Sequence, residues 1–335
     1  EWTRFSANTA MINRFLTYAD KLRLGIIGLA LAVLSIAQLF APLPIEWASF
    51  GQPFFLIGAL AAVGLAYRRL NRDEGIAAAC FVVAQILLFS NFAVLDNYLG
   101  LALHRPLIDE FLAAADRRAG IDWWAYVNWI KSDPFFGRIL AFAYISTVWQ
   151  LAAAILFLGF TRRFDRLDRL TLAFMLAGAV SIGFWAIFPN LGALPLHYAH
   201  GLPGPTFTLV MSKEEAMQQL ALFSGPVPVL RFSSLMGIIG CPSFHTVMAV
   251  LTVEALWPIP LAGILSLACN IVVLLSVPAD GGHHFVDVGA GILVSFASLA
   301  LARALLAREA GESPRHLPAW RALLLLRRVL SPAKP

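Results

Sequence analysis

Charge is what this 335-residue sequence has least of. Asp, Glu, Lys and Arg make up 13% of it, where a soluble domain carries about a quarter. That is too little to cover a water-facing surface. Cysteine is also scarce: Cys80, Cys241 and Cys269 are the three, and no CxxC pair occurs. Neither a zinc site nor a disulfide framework is indicated. There is no internal repeat and no low-complexity tract. The net charge is +5, but no basic stripe or nucleic-acid-binding module accompanies it, so nucleic acid is not an expected partner. The first 23 residues are polar and basic, and the first apolar run does not end in a small-residue cleavage site. No cleavable signal peptide is therefore expected.

What is present is apolar: 59% of residues are hydrophobic, gathered in long runs without a 3.6- or 2-residue period. Such runs indicate membrane helices. The expected fold is all-α, because backbone polar groups in lipid need internal partners. About eight transmembrane helices are expected, near 24–41, 53–67, 75–99, 137–160, 170–188, 244–258, 260–277 and 287–307. The second, sixth and seventh are short for a hydrocarbon core of about 30 Å. Basic residues gather in the N-terminal segment, after spans two and four, and in the C-terminal tail, 18 of the 25 in all. An even span count puts all four segments on the cytoplasmic side. The expectation is a multi-pass protein of a bacterial inner membrane, both termini cytoplasmic, surrounded by membrane lipids.

Two long segments then face outward. Residues 100–136 contain Trp123, Trp124 and Trp129 and read as interfacial helix. Residues 189–243 are rich in Gly and Pro, with one expected helix near 212–223 capped by Ser212 and Glu215. From about 315, a Leu-rich stretch flanked by Arg reads as a cytoplasmic interfacial helix.

Two polar clusters open spans six and eight, and the charge bias puts both at the outer face. The first is Gly240-Cys241-Pro242-Ser243-Phe244-His245-Thr246. The second runs from Asp280 through Gly281, Gly282, His283 and His284 to Asp287. His283 and Asp287 are four apart, which on a helix places them on one face. A carboxylate there would orient the imidazole and leave its other nitrogen free to attack phosphorus. Ser243 suits an N-cap, and the N–H groups of a helix start make a phosphate cradle. His245, just inside, can protonate a leaving oxygen. Gly281 and Gly282 permit close approach of backbone to an anion. No further carboxylate or Cys joins these side chains at a ligand spacing, so no metal and no organic cofactor is expected.

Pro242-Ser243-Phe244-His245 and His283-His284-Phe285-Val286-Asp287 resemble two signatures of the type-2 phosphatidic acid phosphatase superfamily. The resemblance implies a six-helix phosphatase-type core over residues 75–307, with residues 1–74 adding two helices and 308–335 forming a basic tail. It also implies roles: His283 the nucleophile that forms a phosphohistidine, Asp287 its orienting partner, His245 the general acid. Asp109, Asp116, Ile121-Asp122-Trp123, Ala143-Tyr144-Ile145-Ser146, Gln150 and Phe188-Pro189 resemble a bacterial branch related to inositol phosphorylceramide synthases. The chain departs from the wider family twice. It lacks the Lys-x6-Arg-Pro motif, and Val277 stands where the family carries Arg six residues before the nucleophile.

Those departures leave three functions open: a head-group transferase, a lipid or polyprenyl phosphate phosphatase, and a non-catalytic subunit of a membrane complex. The substrate implied is a phospholipid or polyprenyl phosphate. Ser243 and Gly282, with Arg231 and Lys213 as replacement cations, are the candidate phosphate-binding residues. His104, His197, His200 and His316 are expected to be structural, His284 to neighbour the site. Gln85, Gln150 and Glu254, within spans, are expected to bond between helices.

Overall fold

The computed structural model describes residues 15–204 and 207–308. The C-terminal interfacial helix expected from about 315, His316 and most of the basic tail lie outside them. Among the described residues twelve α-helices follow one another: α1 Tyr18–Phe40, α2 Gly51–Arg69, α3 Glu74–Leu99, α4 Asp109–Arg118, α5 Trp123–Lys131, α6 Pro134–Phe160, α7 Phe164–Ile187, α8 Ala193–Ala199, α9 Lys213–Ser224, α10 Phe244–Leu256, α11 Ala262–Asp280 and α12 Phe285–Ala307. Among the described residues there is no strand, only an isolated bridge between Ile45 and Leu230.

Seven of these described helices are long and apolar enough to cross a membrane: α1, α2, α3, α6, α7, α11 and α12. The chain is a multi-pass membrane protein. Leu29, Phe40, Phe55, Phe142, Trp149, Leu293 and Phe296 are all exposed, as lipid-facing side chains must be. The expected sixth span, 244–258, is a shorter helix of 13 residues, about 20 Å long at 1.5 Å per residue. It can be short because it packs against α6, α7, α11 and α12. It stops where Pro258 and Pro260 deny the ladder its N–H donors.

Helix ends fall at two levels. At one, basic side chains are tied into ion pairs. Buried Arg23 donates to Asp20, Gln85, Asp168 and Thr171 at 2.7–2.9 Å, linking α1, α3 and α7. Arg169 and Arg303 share Glu254. Gln85 and Glu254 thus bond between helices, as does Gln150 by way of Asn270.

At the other level lie the starts of α10 and α12, the ends of α3, α7 and α11, and the segments 100–136 and 189–243. Residues 100–136 form α4 and α5, and Trp123 of α5 donates to the Pro278 carbonyl at 2.9 Å. In the second segment Ser212 and Glu215 cap α9 reciprocally. The short helix α8 was not foreseen. Its N-cap is Gly192, whose φ of +107° few side chains tolerate.

Candidate functional site

The two polar clusters meet. The Ser243 N–H donates to the Asp287 carbonyl at 3.0 Å, which joins the start of α10 to the first turn of α12. Gly291 makes the crossing possible, since a Cβ there would stand 2.7 Å from the Ser243 carbonyl oxygen. Ser243 is the N-cap of α10, its hydroxyl accepting from Thr246 N–H at 3.5 Å.

His283 Nδ1 lies 3.3 Å from Asp287 Oδ2, with both side chains buried. The pair forms for a different reason than helical spacing. α12 begins at Phe285, so His283 precedes the helix. Asp287, third in the helix, reaches back to accept the His284 N–H at 2.9 Å in a capping box. The same carboxylate holds the imidazole before it. The loop is shaped by Gly282, at φ +63°, whose carbonyl accepts from Leu194 N–H at 3.1 Å.

His245 projects from the first turn of α10, its ring stacked on Tyr144 at 4.0 Å and 21°. His245, His283 and Tyr144 line one cavity of about 550 Å³. Its wall is largely apolar, from α3, α7 and α10, with Asn97, Glu215 and Gln219 supplying polar groups. The Asn97 Nδ2 and Gln219 Oε1 atoms are buried and have no hydrogen-bond partner among the described residues. No described Lys or Arg lines the cavity.

The replacement cations lie elsewhere. Arg231 is exposed and paired to Glu46 at 2.6 Å. Lys213, the first residue of α9, sits over the Tyr198 ring at 5.6 Å. Neither lines the cavity. The cation nearest the second cluster in the hydrogen-bond network is Lys131, which is buried and donates to both Asp280 oxygens at 2.7 and 2.8 Å. Sequence reading missed this pair. Lys131 looks like an ordinary interfacial lysine until α5 folds onto α11.

His284 does more than neighbour the site. It is buried between the carboxylates of Asp109, 3.5 Å away, and Asp116, 3.8 Å away. Burial disfavours its charged form, but Asp109, Asp287 and Asp116 outweigh that and raise its pKa. Asp109 also accepts the Leu191 and Gly192 N–H groups, and Asp116 those of Phe285 and Val286. A carboxylate pair about two turns apart on α4 thus clamps the loop before α8 and the start of α12. Burial also pushes up the thiol pKa of Cys241, with Asp287 adding to the effect.

The other described histidines bond elsewhere: His104 to the Ala102 carbonyl, His197 to that of Pro203, His200 to Glu110 on α4. No group of three described His, Cys, Asp or Glu side chains is arranged to hold a metal ion. A family model described as the PAP2 superfamily matches residues 110–301, more than half of the chain, a stretch that contains His245, His283 and Asp287. No curated protein and no solved structure matches the chain.

Proposed function

The chain belongs to the PAP2 superfamily, and from that premise we propose that it is a lipid phosphotransferase working through a phosphohistidine on His283. The observation that carries the reading is the buried His283–Asp287 pair opening, together with His245, onto a cavity walled by apolar side chains. Asp287 takes the proton-bearing side of the ring, leaving Nε2 with its lone pair. Nε2 attacks phosphorus in line. A P–N bond forms, the P–O bond to the leaving group breaks, and protonated His245 delivers its proton to the departing oxygen. An alcohol then attacks the phosphohistidine, its proton passes to His245, and the P–N bond breaks. Water in the alcohol's place gives a phosphatase, the second reading.

The cavity's lining favours transfer of a group carried on a phosphodiester. A phosphomonoester approaches two negative charges at neutral pH and calls for cations. Here, apart from protonated His245, the donors at hand are neutral: Asn97, Ser90, Tyr144 and the start of α10. Arg231 is held by Glu46, which supports the same choice. The apolar walls suit acyl chains of a phospholipid or a polyprenyl chain. The basic residues tied up at the opposite level support an active site on the non-cytoplasmic face of a bacterial inner membrane. No cofactor enters the scheme.

Purified protein in phosphatidylcholine nanodiscs, given head-group-labelled phospholipid and a lipid alcohol, should yield a labelled diester lipid. Labelled phospho-head group as the sole product, or inorganic phosphate released only from a phosphomonoester lipid given in parallel, would select the phosphatase. Unchanged turnover in His283→Ala would remove the active-site assignment.

A further inference from the structure

A second cavity, of about 500 Å³, lies on the other side of α3. α1, α3 and α7 wall it, and Phe89, Ala93 and Ile182 are shared with the catalytic cavity. Its outer wall includes Leu29, Val33 and Phe40, all exposed where lipid would lie. Among its lining residues the one polar side chain is Asp96. That carboxyl is only 9% exposed, and its enclosed Oδ1 has no hydrogen-bond partner among the described residues. Asp96 sits beside Asn97, so neighbouring residues of one helix serve the two cavities.

An unpartnered carboxyl in an apolar, membrane-level cavity is costly and marks a binding function. Water is a poor occupant, since a buried water takes two to four polar partners and this wall offers one. A hydroxyl is a good one. It donates to the carboxylate, and it can accept from the carboxylic acid, so it satisfies Asp96 in either protonation state. The rest of the wall calls for hydrocarbon. We propose that this cavity is a binding site for a neutral lipid with a free hydroxyl, its chains between α1 and α7 and its hydroxyl on Asp96. Beside the catalytic cavity, such a lipid is placed to serve as the acceptor. That role rests on the transfer reading above; the binding does not.

The test uses the full chain in phosphatidylcholine nanodiscs and a diacylglycerol with a diazirine in one acyl chain. Photolabelling should saturate and map to α1 and α7. Asp96→Leu should cut it at least tenfold. So should Gly183→Leu, which projects into the cavity from a position where an added Cβ meets nothing within 4 Å. His283→Ala should label like the native chain, which separates this site from the chemistry. Equal labelling of native chain and both variants would overturn the proposal. So would equal labelling by the hydroxyl-acetylated probe, or stronger labelling by a diazirine aminolipid.

Discussion

Lys131 and Asp280 face each other in the interior, Nζ between the two carboxylate oxygens, directly beneath the loop that carries His283. Asp280 also accepts the Val210 N–H at 3.2 Å, and its carbonyl accepts that of Met211. The pair therefore fixes three things at once: the end of α11, the loop that carries His283, and the 210–211 wall of the cavity. Lys131→Met strands a carboxylate that is fully buried, and breaking such a pair costs about 3–5 kcal/mol. The variant should show a markedly lower unfolding temperature in detergent and reduced turnover. Lys131→Met with Asp280→Leu should recover most of the stability, since an apolar pair is tolerated where half an ion pair is not. Activity should stay low, because the side-chain anchor of the Val210 N–H is gone.

His284 makes stability depend on pH. Its folded pKa stands above the ordinary value of 6.5 because Asp109, Asp287 and Asp116 surround it, outweighing burial. The folded state therefore holds the proton more tightly than the unfolded state. That contribution is complete below the ordinary value and is lost as pH rises through the raised one. Unfolding temperature should fall on going from mildly acid to alkaline buffer. His284→Gln should flatten that slope. An equally steep slope in the variant would assign the effect to another group.

Asp287→Asn keeps the shape of the capping box and removes the charge. The amide oxygen can still accept one N–H, so the fold should survive with a modest loss of stability. The imidazole loses the partner that sets its tautomer, and the neutral amide cannot balance charge on the ring. By analogy with other histidine–carboxylate pairs, turnover should drop by roughly 10²–10⁴-fold. Unchanged turnover in the purified variant would mean that Asp287 is a capping residue and nothing more.

Arg231→Ala and Lys213→Ala test whether surface cations replace the family's missing ones. Arg231 is exposed and engaged with Glu46, and Lys213 lies over Tyr198. Both variants should turn over diester substrate within about twofold of the native chain, in keeping with the small worth of exposed ion pairs. A large rise in KM for either would show that its side chain swings to the phosphate.

Much of this arrangement was legible in the sequence because it rests on local signals. Apolar runs gave the helices, Ser212 and Glu215 the cap of α9, and charge bias brought two distant clusters to one level. The His283–Asp287 pairing was readable, but its cause was not. Spacing suggests a shared helix face, whereas the chain turns at Gly282 and the aspartate reaches back across the N-cap. What sequence could not show was long-range polar pairing. Lys131 with Asp280 is 149 residues apart, and His284 needs α4 folded over it. Asp96 carries no signal except as a lone carboxyl late in an apolar run.

Tyr144 gives the last test, because its two chemical parts can be removed separately. The ring stacks on His245 at 4.0 Å, fixing the imidazole against the cavity wall. The hydroxyl lies against Gly281, where an added Cβ would stand 2.8 Å from it. Tyr144→Phe keeps the stack, so His245 stays oriented and turnover should remain within about threefold of native, with an aromatic contact worth roughly 0.5–1.5 kcal/mol retained. Tyr144→Leu removes it. His245 can then rotate, and turnover should fall by about tenfold or more, the lower range for a displaced general acid. The loss should appear in kcat with KM little changed, since the ring orients an acid and does not hold the lipid. A substrate with a more acidic leaving group, such as a nitrophenyl phosphodiester, should lose less, because its oxygen departs with little need of a proton. If both variants lose activity equally on both substrates, the hydroxyl and its packing on Gly281 matter, and the stack does not.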